Sequence, residues 1–127
     1  MKKIIKEWIS KAEGDYASAL REYRARKNPN YDSACFHAQQ CIEKYLKGTL
    51  QKHNTPFGKT HDLSVLLKTC ITKYPLWETW KNDLKTLSIF AVQFRYPGET
   101  AKKEDARKAV RIMKKYRTEI RQALHLD

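Results

Sequence analysis

Apolar residues recur at three- and four-residue steps along almost the whole chain. Between Lys3 and Lys27, Ile5, Trp8, Ala12, Tyr16, Ala19 and Tyr23 fall on one side of a helix, with no proline to interrupt them. The spacing predicts a long amphipathic helix closed by Asn28-Pro29-Asn30. Asp15 lies near its seam, which predicts an internal ion pair. A second helix is expected from a cap at Asp32 to about His53. Its stripe of Ala34, Ala38, Cys41, Tyr45 and Thr49 is widened by Ile42, Leu46 and Leu50, as suits a central helix with neighbours on more than one side.

After the loop with Pro56 and Gly58, Thr60 or Asp62 can cap a shorter helix through Leu63, Leu66, Leu67, Cys70 and Ile71, up to Pro75. Trp77, Trp80, Leu84, Leu87, Ala91 and Phe94 then keep helical spacing from Leu76 to Arg95. Tyr96-Pro97-Gly98 ends that run, because proline disfavours the α conformation in the residue before it. From Ala101 to Leu126, Ala106, Ala109, Met113, Tyr116, Ile120 and Ala123 form a narrow stripe among charges. No strand pattern, internal repeat or low-complexity tract is visible. The pattern predicts one all-α domain over residues 1–127, an antiparallel up-and-down helical bundle of four long helices plus one shorter helix.

Composition adds a sign to this picture. Lys and Arg number 26 against 14 Asp and Glu, a formal net charge of +12, which concentrates anions around the molecule. Nucleic acid, nucleotide or an acidic partner is favoured. The excess is spread along the chain instead of forming a basic tail. Its densest helical face would be the last one, with Lys103, Arg107, Arg111, Lys114, Lys115 and Arg121; an ordinary solvated face accounts for it.

Three cysteines, Cys35, Cys41 and Cys70, cannot all pair internally and form no Cys-x-x-Cys motif. They read as reduced, small core residues. His37 and Cys41 are one helical turn apart, but a zinc site needs three or four ligands and no second pair has suitable spacing, so no metal and no cofactor are expected. Lys6 and Glu7 interrupt any signal-peptide core in the opening residues, and no apolar run approaches a bilayer span. A cytoplasmic protein without a membrane partner is expected.

From Tyr31 to Leu67 the sequence reads YDSACFHAQQCIEKYLKGTLQKHNTPFGKTHDLSVLL. An aromatic-His-Ala-Gln-Gln run is followed by Glu-Lys and Lys-Gly, a proline loop and Thr-His-Asp-Leu. This order resembles the HEPN family (higher eukaryotes and prokaryotes nucleotide-binding). Trp8, Ala12, Glu13 and Asp15 in the first helix, and Arg95-Tyr96-Pro97-Gly98 after the fourth, agree with that likeness. The resemblance covers nearly the whole chain. It implies a helical bundle that forms a homodimer, often works with a minimal nucleotidyltransferase partner in a toxin-antitoxin or defence-type pair, and in many members is a metal-independent endoribonuclease.

Catalytic members carry an arginine followed after four to six residues by a histidine. The guanidinium can hold the scissile phosphate bidentately while the imidazole moves a proton near neutral pH. Arg95 matches that arginine. Thr100, Ala101 and Lys102 occupy the histidine's positions, and Tyr96 follows the arginine in place of a small polar residue. The motif is half absent. His61, His37 and His53 could substitute only through a tertiary or cross-dimer approach. Without ligand, Arg95 would pack its stem at the core's edge and pair with a carboxylate.

The family likeness also draws attention to Gln40, Glu43, Lys44 and Lys47 on the second helix, which could hold a nucleotide beside Arg95 and Tyr96. Helical spacing alone explains Glu43 and Lys47 as a solvated pair. His61 is explained locally, by a hydrogen bond at a helix start. Three functions follow: a homodimeric HEPN protein with a degenerate ribonuclease motif that binds nucleotide or RNA phosphates; a metal-independent endoribonuclease using Arg95 with His61 or His37; and a ligand-free helical interaction module. Trp77, Trp80, Phe90 and Phe94 are the aromatic surplus the sequence offers a dimer interface.

Overall fold

The computed structural model describes residues 1–126. Five α-helices follow one another, α1 Lys3–Arg24, α2 Tyr31–Lys52, α3 Leu63–Ile71, α4 Lys81–Gln93 and α5 Lys103–Ala123, with a 3₁₀ segment Pro75–Trp80 before α4. There is no strand among the described residues.

α2 packs against α1, α3, α4 and α5, the central position its wide apolar face predicts. Both predicted stripes of α2 are buried, from Ala34 through Leu50. Gly48 lets α1 approach closely, since a Cβ there would sit 3.3 Å from the Trp8 Cβ. Contacts run in opposite senses along α1 and α2. His37 and Lys44 meet Asp15, Tyr45 meets Glu13, and Gly48 meets Trp8. Asp15 is buried and makes the expected ion pair, with Lys44 and with His37 at 2.7 Å.

α5 is tied to α1 by a fork-on-fork pair. Arg117 Nε donates to Glu13 Oε2 at 2.7 Å and Nη2 to Oε1 at 2.6 Å. The guanidinium also lies over the Tyr16 ring, 4.2 Å from its centroid. Arg121 belongs to this internal network, donating to the Tyr45 hydroxyl at 2.9 Å, and so is not part of the outer basic face. Lys103, Arg107, Arg111, Lys114 and Lys115 are exposed.

Two local expectations are corrected. Asn30 caps α2, its Oδ1 accepting from the Ser33 N–H at 2.9 Å, while Asp32 instead receives the Ala101 N–H at 2.7 Å and anchors the entry to α5. The helix expected from Leu76 to Arg95 begins as 3₁₀ and turns α only at Lys81. A 3₁₀ helix eclipses residues three apart, and the aromatic residues use this. Tyr74 and Trp77 stack at 4.3 Å and Trp77 and Trp80 at 4.2 Å, continuing onto Tyr116 of α5 at 4.8 Å. The two tryptophans are therefore buried in their own core, and Phe90 and Phe94 also pack against it. The surplus offered to a dimer interface is largely spent within the chain.

The three thiols are buried. Burial pushes Cys35 up to about 12, helped by Asp105 and Asp32, and Cys70 also to about 12; Cys41 rises well above its ordinary value for the same first reason. No helix among the described residues is long and apolar enough to cross a membrane.

Candidate functional site

α2, α4 and the start of α3 enclose an open cleft of about 1000 Å³. Gln39 and Gln40 of α2 line it, with His61 and Asp62 from the loop entering α3, and Lys85, Ser88, Val92 and Arg95 from α4 and its end. The turn after α4 places Arg95. Phe94 N–H still bonds to Phe90 O and Arg95 N–H to Val92 O, after which Gly98 takes φ +87, a left-handed conformation that glycine adopts without strain.

Arg95 is exposed, and its guanidinium has no hydrogen-bond or ion-pair partner among the described residues. This corrects the expectation that it pairs with a carboxylate. A permanently charged, planar donor set without a partner is what a phosphate oxygen pair can occupy.

His61 shares the cleft with Arg95 despite lying 34 positions earlier. Its bond is not local. Asp62 caps α3 by accepting from the Ser64 N–H at 2.9 Å, and His61 Nδ1 reaches back to Glu43 Oε2 on α2 at 3.1 Å. A carboxylate only accepts, so Nδ1 carries the proton and Nε2 is left for another partner. The imidazole is 77% exposed while Glu43 is 3% exposed, a solvent-facing ring held by a buried anchor.

Glu43 collects further donors. Lys47 Nζ approaches at 3.1 Å, and the amides of Gln39 and Gln40 each donate to Oε1 at 3.3 Å. Gln39 also donates to the His61 carbonyl at 3.0 Å, and Gln40 to Gln39 Oε1 at 2.7 Å. The Glu43–Lys47 pair is thus buried, not solvated, with Lys47 Nζ 5.7 Å from the Trp8 ring centroid and 6.0 Å from that of Phe57. Spacing on one helix reports the pair, but not that the α1 and loop aromatics fold over it.

The predicted residues divide accordingly. Arg95, Gln40 and His61 line one cleft, with Glu43 behind His61. Lys44 is turned to Asp15 and Lys47 to Glu43, so neither lines the cleft, and Tyr96 is exposed outside it. His37 is bound to Asp15 and His53 to the Tyr74 hydroxyl at 2.8 Å, away from Arg95. Phe36, Gln39, Lys85 and Ser88 also line the cleft, although no motif in the sequence marks them as site residues. For α4 the signal was available: Lys85, Ser88, Val92 and Arg95 recur at three- and four-residue steps on the face flanking the core stripe. No group of three or more His, Cys, Asp or Glu side chains arranged to hold a metal is found among the described residues.

A family model described as HEPN domain matches residues 5–122 of the 127. No curated protein and no solved structure matches the chain.

Proposed function

The chain belongs to the HEPN domain family, and from that premise we propose that it binds the phosphates of nucleotide or RNA in the cleft between α2, α3 and α4, with Arg95 as the primary contact. The observation that carries this reading is the Arg95 guanidinium, without a partner among the described residues, lining one open cleft with Gln40 and His61. In this reading the bundle is up-and-down and homodimeric, is cytoplasmic, and acts with a minimal nucleotidyltransferase partner in a toxin-antitoxin or defence-type system, as the family resemblance implies. The net charge of +12 supports attraction of polyanions.

The test is titration of labelled RNA and of nucleotide at low and high salt. Binding weakens as salt rises, and Arg95→Ala lowers affinity roughly tenfold, the cost of one charge-assisted contact. Unchanged affinity in that variant overturns the assignment.

A second reading, metal-independent endoribonuclease activity, is favoured by the pinned imidazole. His61 stands in the cleft with Nε2 available, although Thr100, Ala101 and Lys102 replace the family's histidine. The 2'-hydroxyl would attack the adjacent phosphorus as the 5'-oxygen leaves, with Arg95 on the phosphate and His61 moving the proton. Incubation with RNA in a chelator decides it. Cleavage abolished in both Arg95→Ala and His61→Ala supports these roles, and cleavage that survives either substitution removes that residue from the reaction.

A further inference from the structure

The α4 wall of the cleft carries a cation at each end. Lys85 opens it on α4 and Arg95 closes it just past the helix end; the helical stretch from Lys85 to Gln93 alone rises about 12 Å at 1.5 Å per residue. Like Arg95, Lys85 is exposed and has no hydrogen-bond or ion-pair partner among the described residues. Between the two cations the surface changes character. Ile89 and Val92 are 50% and 55% exposed, and Phe36 of α2, 36% exposed, faces the same cleft.

Ser88 supplies an independent observation. Its Oγ is buried at the cleft and has no hydrogen-bond partner among the described residues. The Thr69 and Thr86 hydroxyls return to the carbonyls four residues back, of Val65 and Asn82, whereas Ser88 does not close that bond. A buried polar group without a partner is costly, so this hydroxyl is suited to a polar group brought by a ligand.

We propose that the cleft selects a single-stranded nucleic acid segment over a mononucleotide, with Lys85 as a second phosphate contact and Phe36 as a stacking face for a base between the two phosphates. This rests on the phosphate-binding reading of Arg95. A nucleoside monophosphate has one phosphate and cannot reach both cations. A strand carries a phosphate at every nucleotide, so two cations separated by most of the length of α4 suit phosphates several nucleotides apart. Base stacking on an aromatic face is tolerant of sequence, which fits an apolar middle with few hydrogen-bonding groups.

The test compares a labelled, 2'-fluoro-substituted RNA hexanucleotide, which cannot be cleaved through its 2'-position, with AMP as unlabelled competitor. The hexanucleotide is expected to bind at least tenfold more tightly than AMP. Lys85→Ala should remove most of that advantage and leave AMP affinity within twofold, while Phe36→Leu, which keeps the apolar volume, weakens the hexanucleotide several-fold. Equal affinity for the two ligands, or no loss in Lys85→Ala, overturns the proposal.

Arg95→Ala separates the two levels. If it weakens neither ligand, the underlying phosphate site is wrong; if it weakens both while Lys85→Ala weakens neither, only the strand selection is wrong. Sedimentation of Phe36→Leu covers the remaining occupant: a dimer that falls apart with hexanucleotide affinity intact puts a second copy against this face and overturns the stacking role.

Discussion

At the scale of single residues, Arg95 and Glu43 are opposites. Arg95 is exposed and has no partner among the described residues, so Arg95→Ala should change unfolding free energy by no more than about 0.5 kcal/mol, as for other exposed positions. Loss of binding in a variant of unchanged stability, measured by denaturant titration, would separate function from folding. Glu43 is buried and depends on Lys47. Lys47→Met should cost about 3 kcal/mol, because it leaves a buried carboxylate short of its cation, and Glu43→Gln in the same chain should recover much of that. A loss below about 1 kcal/mol in Lys47→Met would mean that His61 and the glutamine amides suffice. Sequence spacing revealed the Glu43–Lys47 pair but not its burial, since the covering rings of Trp8 and Phe57 come from α1 and from a loop.

Between elements, helical glycines test the packing. Gly14 has open space where a Cβ would stand, so Gly14→Ala should stabilise α1 by up to about 1 kcal/mol. Gly48→Ala offers the same propensity gain but crowds the Trp8 Cβ, and α1 must shift to admit it; thermal unfolding should show the Gly48 variant clearly less stable than the Gly14 variant. The α1–α5 clamp carries a pH signature. The hydrogen bonds from Arg117 hold the Glu13 carboxyl below its ordinary 4.5, against the opposing effect of burial and with help from the Tyr45 hydroxyl. Because the folded-state value is the lower one, this stabilisation is present above pH 4.5 and is lost as pH falls below it, through the folded-state value. Arg117→Met should flatten that part of the stability-against-pH curve; an unchanged slope would place the linkage elsewhere. Element existence was legible because each core stripe keeps a helical period. The 3₁₀ start before α4 was not, since Trp77 and Trp80, three apart, satisfy either period until their stacking chooses one. Nor was the cap of α2 legible, because Asn30 and Asp32 are both good capping types and only Ala101, far along the chain, claims Asp32.

On the scale of the whole molecule, the cleft joins parts of the chain that no local pattern connects. His61 enters from the loop before α3 and Arg95 from the turn after α4, and both line the cleft with Gln40 of the central helix. Periodicity predicted that α2 would have several neighbours, yet it could not say which loop would stand beside Arg95. The family resemblance pointed to Arg95 and Gln40, and also to Lys44, Lys47 and Tyr96, which the fold directs away from the cleft. The central claim is that an unpaired arginine makes this cleft a phosphate site. Its most direct test is the affinity of the intact protein and of Arg95→Ala for single-stranded RNA across a salt series. The account predicts salt-sensitive binding that falls roughly tenfold in the variant with a shallower salt dependence; absence of binding at low salt, or equal affinity in the two proteins, would contradict it.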